Sequence, residues 1–231
     1  MRPQQQDHYV DDDRRDAAPY IPRGARSALD VGCGPGGFGR SLRGALGAEA
    51  RIVGVEAMET SAARARVGHG YDEVVRGYFP EALDGRADRF DLVTFIDVLE
   101  HLVDPWAALA AARDRLEPGG RVLALVPNIQ VWYILGGLLR GRWDYADQGT
   151  LDRTHLRFFT KATMIELFEG AGLDVELIRG VNDVSSGRRL RDYRRSAVKN
   201  LEWLPRVVPD SRWLHFVVMA GVHAAERPAS D

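Results

Sequence analysis

Leu29-Asp30-Val31-Gly32-Cys33-Gly34-Pro35-Gly36-Gly37 is the stretch on which the reading of this chain turns. Residues 27–31 form a short apolar run that ends in glycines, which predicts a strand closing in a tight turn. Glycine accepts positive φ and lets a ligand come close to the backbone. The composition of 38–46 predicts a helix directly after the turn. A strand, a glycine turn and a helix make the crevice in which open α/β sheets hold nucleotide-like ligands. Residues 51–55 predict a second strand, and Glu56 ends it. A carboxylate there can accept both hydroxyls of an adenosine ribose.

Two cofactor classes fit these residues. Gly32, Gly34 and Gly37 satisfy G-x-G-x-x-G, and Glu56 serves NAD equally well. Three features favour S-adenosylmethionine. Asp30 lies inside the strand, where a buried carboxylate is costly unless it bonds the glycine backbone or a ligand ammonium. S-adenosylmethionine carries an ammonium and NAD does not. The chain beyond residue 130 is too short for a separate dehydrogenase domain. Pro35 and small residues follow the turn, rather than a helix end aimed at a pyrophosphate.

Outward from the turn, strands and helices alternate. Helices are expected at 60–67, at 105–116 with Pro105 in its first turn, and after Thr160 through Glu169, stopped by Gly170 and Gly172. Strands are expected at 72–76, 90–96, 121–126, 175–178 and 213–222, with a turn at Glu117-Pro118-Gly119-Gly120 before the 121–126 strand. This alternation predicts an open α/β sheet with parallel pairing, not a barrel. Residues 1–22 are polar and acidic and predict a mostly flexible arm with one short helix near 12–18. Residues 23–231 are expected to form a single domain, with a lid or substrate insertion around 129–159.

Composition narrows the class. The chain has 231 residues, 45% hydrophobic and 28% charged, as expected of one globular core. A formal net charge of −2 gives no global sign of nucleic acid or an anionic membrane. Cys33 is the one cysteine, so no intramolecular disulfide forms, which fits a reducing compartment. The first residues lack the apolar run of a signal peptide. The 131–139 run is too short to span a bilayer. The expected location is cytoplasmic.

The glycine turn, the run Asp97-Val98-Leu99-Glu100-His101-Leu102, the EPGGRVLALVPN segment and the run LDRTHLRFFT at 151–160 together resemble the class I S-adenosylmethionine-dependent methyltransferases. The nearest likeness is to the bacterial branch found near sugar- and polysaccharide-modifying enzymes, and to the ubiquinone-biosynthesis O-methyltransferases. The resemblance covers roughly residues 27–180. It implies a Rossmann-like open seven-stranded sheet, mostly parallel with the last strand antiparallel, and helices on both faces. It implies that Asp30, Gly32, Cys33, Gly34 and Gly36 surround the methionine part of the cofactor, whose product is S-adenosylhomocysteine. Glu56 would hold the ribose, and Ala57 and Met58 the adenine. Asp97 and Val98 would line the opposite side. Tyr9 and Arg14 match a pair that closes over the cofactor carboxylate. The chain departs from the family after the third strand, where an acid usually meets the adenine amine. Here Gly77 is followed by Tyr78, which can stack or donate through its hydroxyl.

Transfer from a sulfonium needs alignment above all, and a base only when the acceptor is protonated. Histidine suits that task near neutral pH. His155, in the polar run DRTHLR, is the expected base or substrate contact, against a loop-shaping role. His101 is the second catalytic candidate, against a histidine that packs beneath the cofactor. His69, His215 and His223 read as structural or exposed. No Cys/His/Asp/Glu spacing suggests a metal, and no serine or cysteine has a nucleophile's setting. Missing after the fourth strand is the Asn/Asp-Pro-Pro-aromatic run of enzymes that act on DNA-base amines. The apolar 131–139 run with Arg140, Arg142 and Trp143 reads as a helix over the sheet edge or a substrate cover with peripheral lipid contact. Residues 187–195 hold five arginines and one aspartate, a solvated face or an anion site. The expected acceptor is a small-molecule or glycan-linked hydroxyl, for a monomer or homodimer. N- or C-methylation, RNA methylation, a non-catalytic cofactor-binding subunit and an NAD enzyme are the alternatives.

Overall fold

Apolar runs with β-branched residues, spaced by helices, fold here as the period-2 and period-3.6 patterns require. The computed structural model describes residues 11–68, 70–185 and 203–222. Seven strands form one sheet: β1 (Ser27–Val31), β2 (Arg51–Glu56), β3 (Glu73–Arg76), β4 (Phe90–Ile96), β5 (Leu116–Pro127), β6 (Asp174–Asp183) and β7 (Trp213–Gly221). Their order is β3-β2-β1-β4-β5-β7-β6. The first five strands pair in parallel, and β7 runs antiparallel to both β5 and β6. The chain order reverses between β1 and β4, so the crevice of an open α/β sheet opens at their carboxyl ends.

Successive residues of a strand point to opposite faces. Val93 and Phe95 of β4 enter one core, with Leu109 and Phe168 of the covering helices α3 (Pro105–Asp114) and α5 (Lys161–Gly170). Leu92 and Ile52 enter the other core, with Phe38 and Leu42 of α1 (Gly37–Leu46). Helix α2 (Glu59–Val67) buries Ala62 and Ala65. The helix starts are set locally. Asp104 caps α3 by accepting from the Ala107 N–H at 2.9 Å, and Thr160 and Thr163 cap α5 reciprocally.

Three expectations change. The EPGG turn lies inside β5, because the strand runs on from Leu116. Leu116 pairs with Phe90 and Arg121 with Leu92, so extra residues loop out on one strand. Gly119 takes φ +84°, and a Cβ on Gly120 would sit 2.9 Å from the Phe90 carbonyl oxygen. Strand β6 runs to Asp183, well past Ile178, because β7 pairs with it along its length. It is only half-buried, so Arg179, Asn182 and Asp183 give no apolar signal. Third, the described part of the arm is docked. Ala17 and Ile21 are buried in the α1-side core, and the helical turn is a 3-10 turn at Ala18–Tyr20, later than the 12–18 expected. Arg40 pairs with Asp11 and Asp13, and the Ser41 hydroxyl donates to the Asp13 carbonyl at 2.6 Å.

The 129–159 segment closes on a small core that it shares with the end of β6 and the 204–214 stretch. Helix α4 (Trp132–Leu138) buries Trp132, Tyr133 and Ile134 against Leu151, Val184 and Leu204. The Trp132 indole N–H donates to the Val184 carbonyl at 3.1 Å. Leu138 and Leu139 are exposed. No helix among the described residues is long and apolar enough to cross a membrane.

Candidate functional site

The glycine turn hangs from the end of β2, where the Gly32 and Cys33 N–H groups both donate to the Val55 carbonyl, at 2.8 and 3.1 Å. Gly32 and Gly34 take φ of +68° and +53°, a region open to glycine at little cost. Gly32 is also needed for space, since a Cβ there would lie 2.7 Å from a Val98 methyl. Over Gly34 such an atom would meet nothing within 4 Å. Glu56 is buried and receives two backbone donors, Gly34 N–H at 2.9 Å and Met58 N–H at 2.7 Å. Each of its oxygens keeps a lone pair for a hydroxyl. Ala57 and Met58 are half-buried beside it, and Tyr78 is 73% exposed. Burial raises the Cys33 thiol well above its usual range, which leaves it neutral and unreactive.

Asp30 finds partners that its sequence position did not suggest. It bonds neither the glycine backbone nor an open crevice. Its two oxygens accept from the Thr94 hydroxyl at 2.6 Å and the Tyr71 hydroxyl at 2.5 Å. Burial still pushes its carboxyl up to about 6, against those two hydrogen bonds and with help from the nearby Glu56 charge. Tyr71 fits because Gly39 is a glycine, whose added Cβ would stand 2.4 Å from the Tyr71 ring.

Across the crevice, at the end of β4, stands Asp97. It joins a closed circuit of side chains from four distant segments. Arg14 ion-pairs with Asp97 and with Asp16. The Asn182 amide donates to Asp16 at 2.6 Å and lies 3.4 Å from His215 Nδ1. His215 Nε2 lies 3.9 Å from Asp97 Oδ1. Arg14, Asp97 and Asn182 are the non-glycine residues with positive φ among the described residues. Backbone strain of this kind gathers where the surrounding structure enforces it, commonly at functional sites. Asp97 Oδ1 is buried without a hydrogen-bond donor among the described residues. Burial lifts the Asp97 carboxyl to about 6 even though Arg14 pulls it down. Burial and the Arg14 charge press His215 down to about 3, so it is neutral.

Two residues beyond Asp97, a 3-10 turn at Leu99–His101 meets the 150s loop. The Glu100 carbonyl accepts from the Leu156 and Arg157 N–H groups at 2.8 and 3.0 Å, which fixes the loop's register. His155 thereby comes to His101, the rings nearly perpendicular with centroids 4.7 Å apart. His155 Nδ1 faces the Thr150 carbonyl at 3.0 Å, and His101 Nδ1 faces the Thr154 carbonyl at 3.3 Å. Burial lowers both histidines, His101 to about 4, and they are neutral at pH 7. Glu100 is 1% exposed, and neither of its carboxyl oxygens has a donor among the described residues.

The fold therefore brings together Asp30, the glycines, Glu56, Ala57, Met58, Asp97, Val98, Arg14, His101 and His155 around one end of the sheet. Tyr9, His69, His223 and the Arg188–Arg195 cluster lie outside the described residues. Residues that the sequence did not mark are Asp16, Tyr71, Thr94, Asn182 and His215. His215 is buried in the site circuit. Glu100 stood inside a quoted motif without a role.

The site fits the cofactor on two observations. Open space lies over Gly34 beside the free lone pairs of Glu56, as an adenosine ribose requires. The donorless Asp97 Oδ1 on the facing wall suits an ammonium.

Residues 3–178 match the family model described as a methyltransferase domain. The ubiquinone biosynthesis O-methyltransferase of Cereibacter sphaeroides is 31% identical over 165 residues, spanning 69% of this chain and 65% of its own length. The enzyme of that name from Ruegeria pomeroyi is 33% identical over 167 residues, spanning 69% and 64%. The chain thus matches just under two thirds of the length of these curated relatives. The crystal structure of an S-adenosylmethionine-dependent methyltransferase from Archaeoglobus fulgidus shares the fold, with a TM-score of 0.62 at 21% identity over 87% of this chain and 88% of that one.

Proposed function

Because the chain belongs to the class I S-adenosylmethionine-dependent methyltransferases, we propose that it methylates a hydroxyl oxygen of a small molecule. When bound, S-adenosylmethionine supplies a methyl group already activated on a sulfonium. The chain's own work is to hold, align and manage one proton. Glu56 accepts from the ribose hydroxyls while the Gly34 and Met58 N–H groups keep its carboxylate in place. Ala57, Met58 and the exposed Tyr78 flank the adenine. Gly32, Cys33, Gly34 and Gly36 admit the methionine part along bare backbone. Asp97 Oδ1 accepts from its ammonium, and Arg14 steadies Asp97. Positioning of this kind is worth about 7–11 kcal/mol of barrier.

The observation that carries the oxygen assignment is the group of donorless lone pairs on Glu100, His101 and His155, just beyond Asp97. A hydroxyl acceptor must lose a proton as it is methylated, and these atoms can receive it or draw it off. The names of the curated relatives, ubiquinone biosynthesis O-methyltransferases, support a small hydroxylated acceptor; a glycan-linked hydroxyl is the same chemistry on a larger carrier.

The test incubates the protein with S-adenosylmethionine and a panel of phenols, sugar alcohols and amines, and follows S-adenosylhomocysteine and product mass. Methyl gain on an oxygen supports the reading. Turnover of amines alone overturns it, as does failure to bind S-adenosylhomocysteine in calorimetry.

A further inference from the structure

Hydrogen-bond donors decide the protonation of the two site histidines. The Thr150 carbonyl can only accept, so His155 Nδ1, 3.0 Å away, carries the proton and Nε2 is a bare lone pair. For His101 the same logic runs through Thr154. The Thr154 hydroxyl spends its proton on Asp152 Oδ1 at 2.7 Å, so it can only accept from His101 Nδ1 at 3.2 Å, as does its carbonyl at 3.3 Å. His101 Nε2 is therefore a lone pair as well. Beside them lies the buried Glu100 carboxyl, whose oxygens receive no donor from the described residues, with Oε1 4.0 Å from His155 Nε2.

Acceptors gathered in a buried space repel one another unless a proton or a cation sits among them. One ligand atom from each of Glu100, His101 and His155 lies within 4.8 Å of the others. A histidine that gives its far N–H to a carbonyl and presents its other nitrogen inward has the outer-shell arrangement of a metal ligand. The geometry points to a binding site for one divalent transition-metal ion, held by Glu100, His101 and His155. Two imidazoles and one carboxylate suit Zn²⁺ or Mn²⁺ better than Mg²⁺, which prefers oxygen ligands. Ligand distances of about 2.0–2.2 Å mean that the three side chains close in by roughly 1 Å around the ion. Three protein ligands leave coordination positions open. Resting on the O-methylation reading, those positions take the acceptor oxygen and ease loss of its proton to the Glu100 oxygen left off the ion; the binding of the ion does not depend on that reading.

No sequence spacing announces the site, because His155 comes from a loop remote in the chain from Glu100 and His101. For that reason residue spacing alone predicts no metal.

The test uses the tag-free full chain, stripped with a chelator and titrated calorimetrically with Zn²⁺, Mn²⁺ and Mg²⁺. One Zn²⁺ or Mn²⁺ per chain at micromolar affinity or better is expected, with Mg²⁺ weaker. Glu100→Gln and His155→Gln should each weaken binding by about tenfold or more. Titration of each variant with S-adenosylhomocysteine reports whether it remains folded. Should a variant fail there, the visible absorption of Co²⁺ on the wild-type chain decides, since His/Glu ligation gives d–d bands and the buried Cys33 adds no thiolate band. Absence of binding to the wild type, or unchanged affinity in folded variants, overturns the proposal. Metal binding without hydroxyl methylation would sink the O-methylation reading and leave the site standing. Chelator-insensitive hydroxyl methylation by a chain that binds no metal would do the reverse.

Discussion

The wall of the crevice after β1 and the wall after β4 face each other and are held by opposite means. On the β1 side each acid has its donors. Glu56 takes two N–H groups, the turn takes its bends at glycines, and Asp30 has a hydroxyl on each oxygen. On the β4 side the contacts are between side chains, and the bends fall on Arg14, Asp97 and Asn182. A non-glycine residue in that region costs about 1–2 kcal/mol. Buried oxygens of Asp97 and Glu100 stand there without donors. The acids of the first wall have their donors, while the second wall carries acceptors that no described residue satisfies. The difference teaches where binding energy enters. The β1 wall offers a preformed surface, and the β4 wall gains most when something positive or proton-bearing arrives.

Four measurements bear on this contrast. The largest effect is expected from Glu56→Ala, which removes the ribose acceptor and the anchor of Gly34 and Met58. S-adenosylhomocysteine affinity should fall on the order of 100-fold, or about 2.7 kcal/mol. An unchanged Kd would mean that the β1 wall does not hold the cofactor. Next comes Gly39→Ala, whose new methyl would meet Tyr71. Overpacking of this kind costs about 1–3 kcal/mol and should lower Tm by several degrees, with Tyr71 displaced from Asp30.

Third is a pH effect of the β1 wall, isolated by comparison with Asp30→Asn. The folded Asp30 carboxyl titrates at about 6, above the value near 4 of an unfolded chain. The native state thus binds this proton more tightly. Its stabilising contribution is complete below pH ~4 and is lost as pH rises to about 6. The stability of the wild type relative to Asp30→Asn should decline across that window and level off above pH ~7. A flat difference in denaturant titrations would show that the carboxyl is not shifted. The smallest effect belongs to the loop that carries His155. Arg153 pairs with Asp147 at the exposed surface, while the Glu100 carbonyl does the anchoring. Arg153→Ala should therefore move Tm by no more than about 1–2 °C.

The contrast also explains what could be read before the structure. The β1 wall lies within a short stretch of chain, and its requirements are written as residue type, glycine where φ is positive and an acid at a strand end. Even there the partners of Asp30 were hidden, because Tyr71 and Thr94 lie far along the chain and reach it only through pairing of β1 with β4 and packing on α1. The β4 wall draws on the arm, on the end of β6 and on β7. Its positive φ values carry no glycine to mark them, and His215 sits in a strand whose pattern reads as core. Seven strands were foreseen, since alternation of apolar runs survives local irregularity. The bulge within β5 was not, because Glu117-Pro118-Gly119-Gly120 has the composition of a turn whether or not the strand continues through it.

A final consequence follows from how the arm is seated. The backbone of Asp12 crosses so close to Gly37 that a Cβ there would stand 2.2 Å from its carbonyl oxygen. Two residues further on, Arg14 grips Asp97 on the far wall. Position 37 and the acid of the opposite wall are thus coupled as by a lever with the arm as its beam. A side chain at 37 would lift the beam and strip Asp97 of its cation, so a substitution on one wall is felt as a loss of charge pairing on the other.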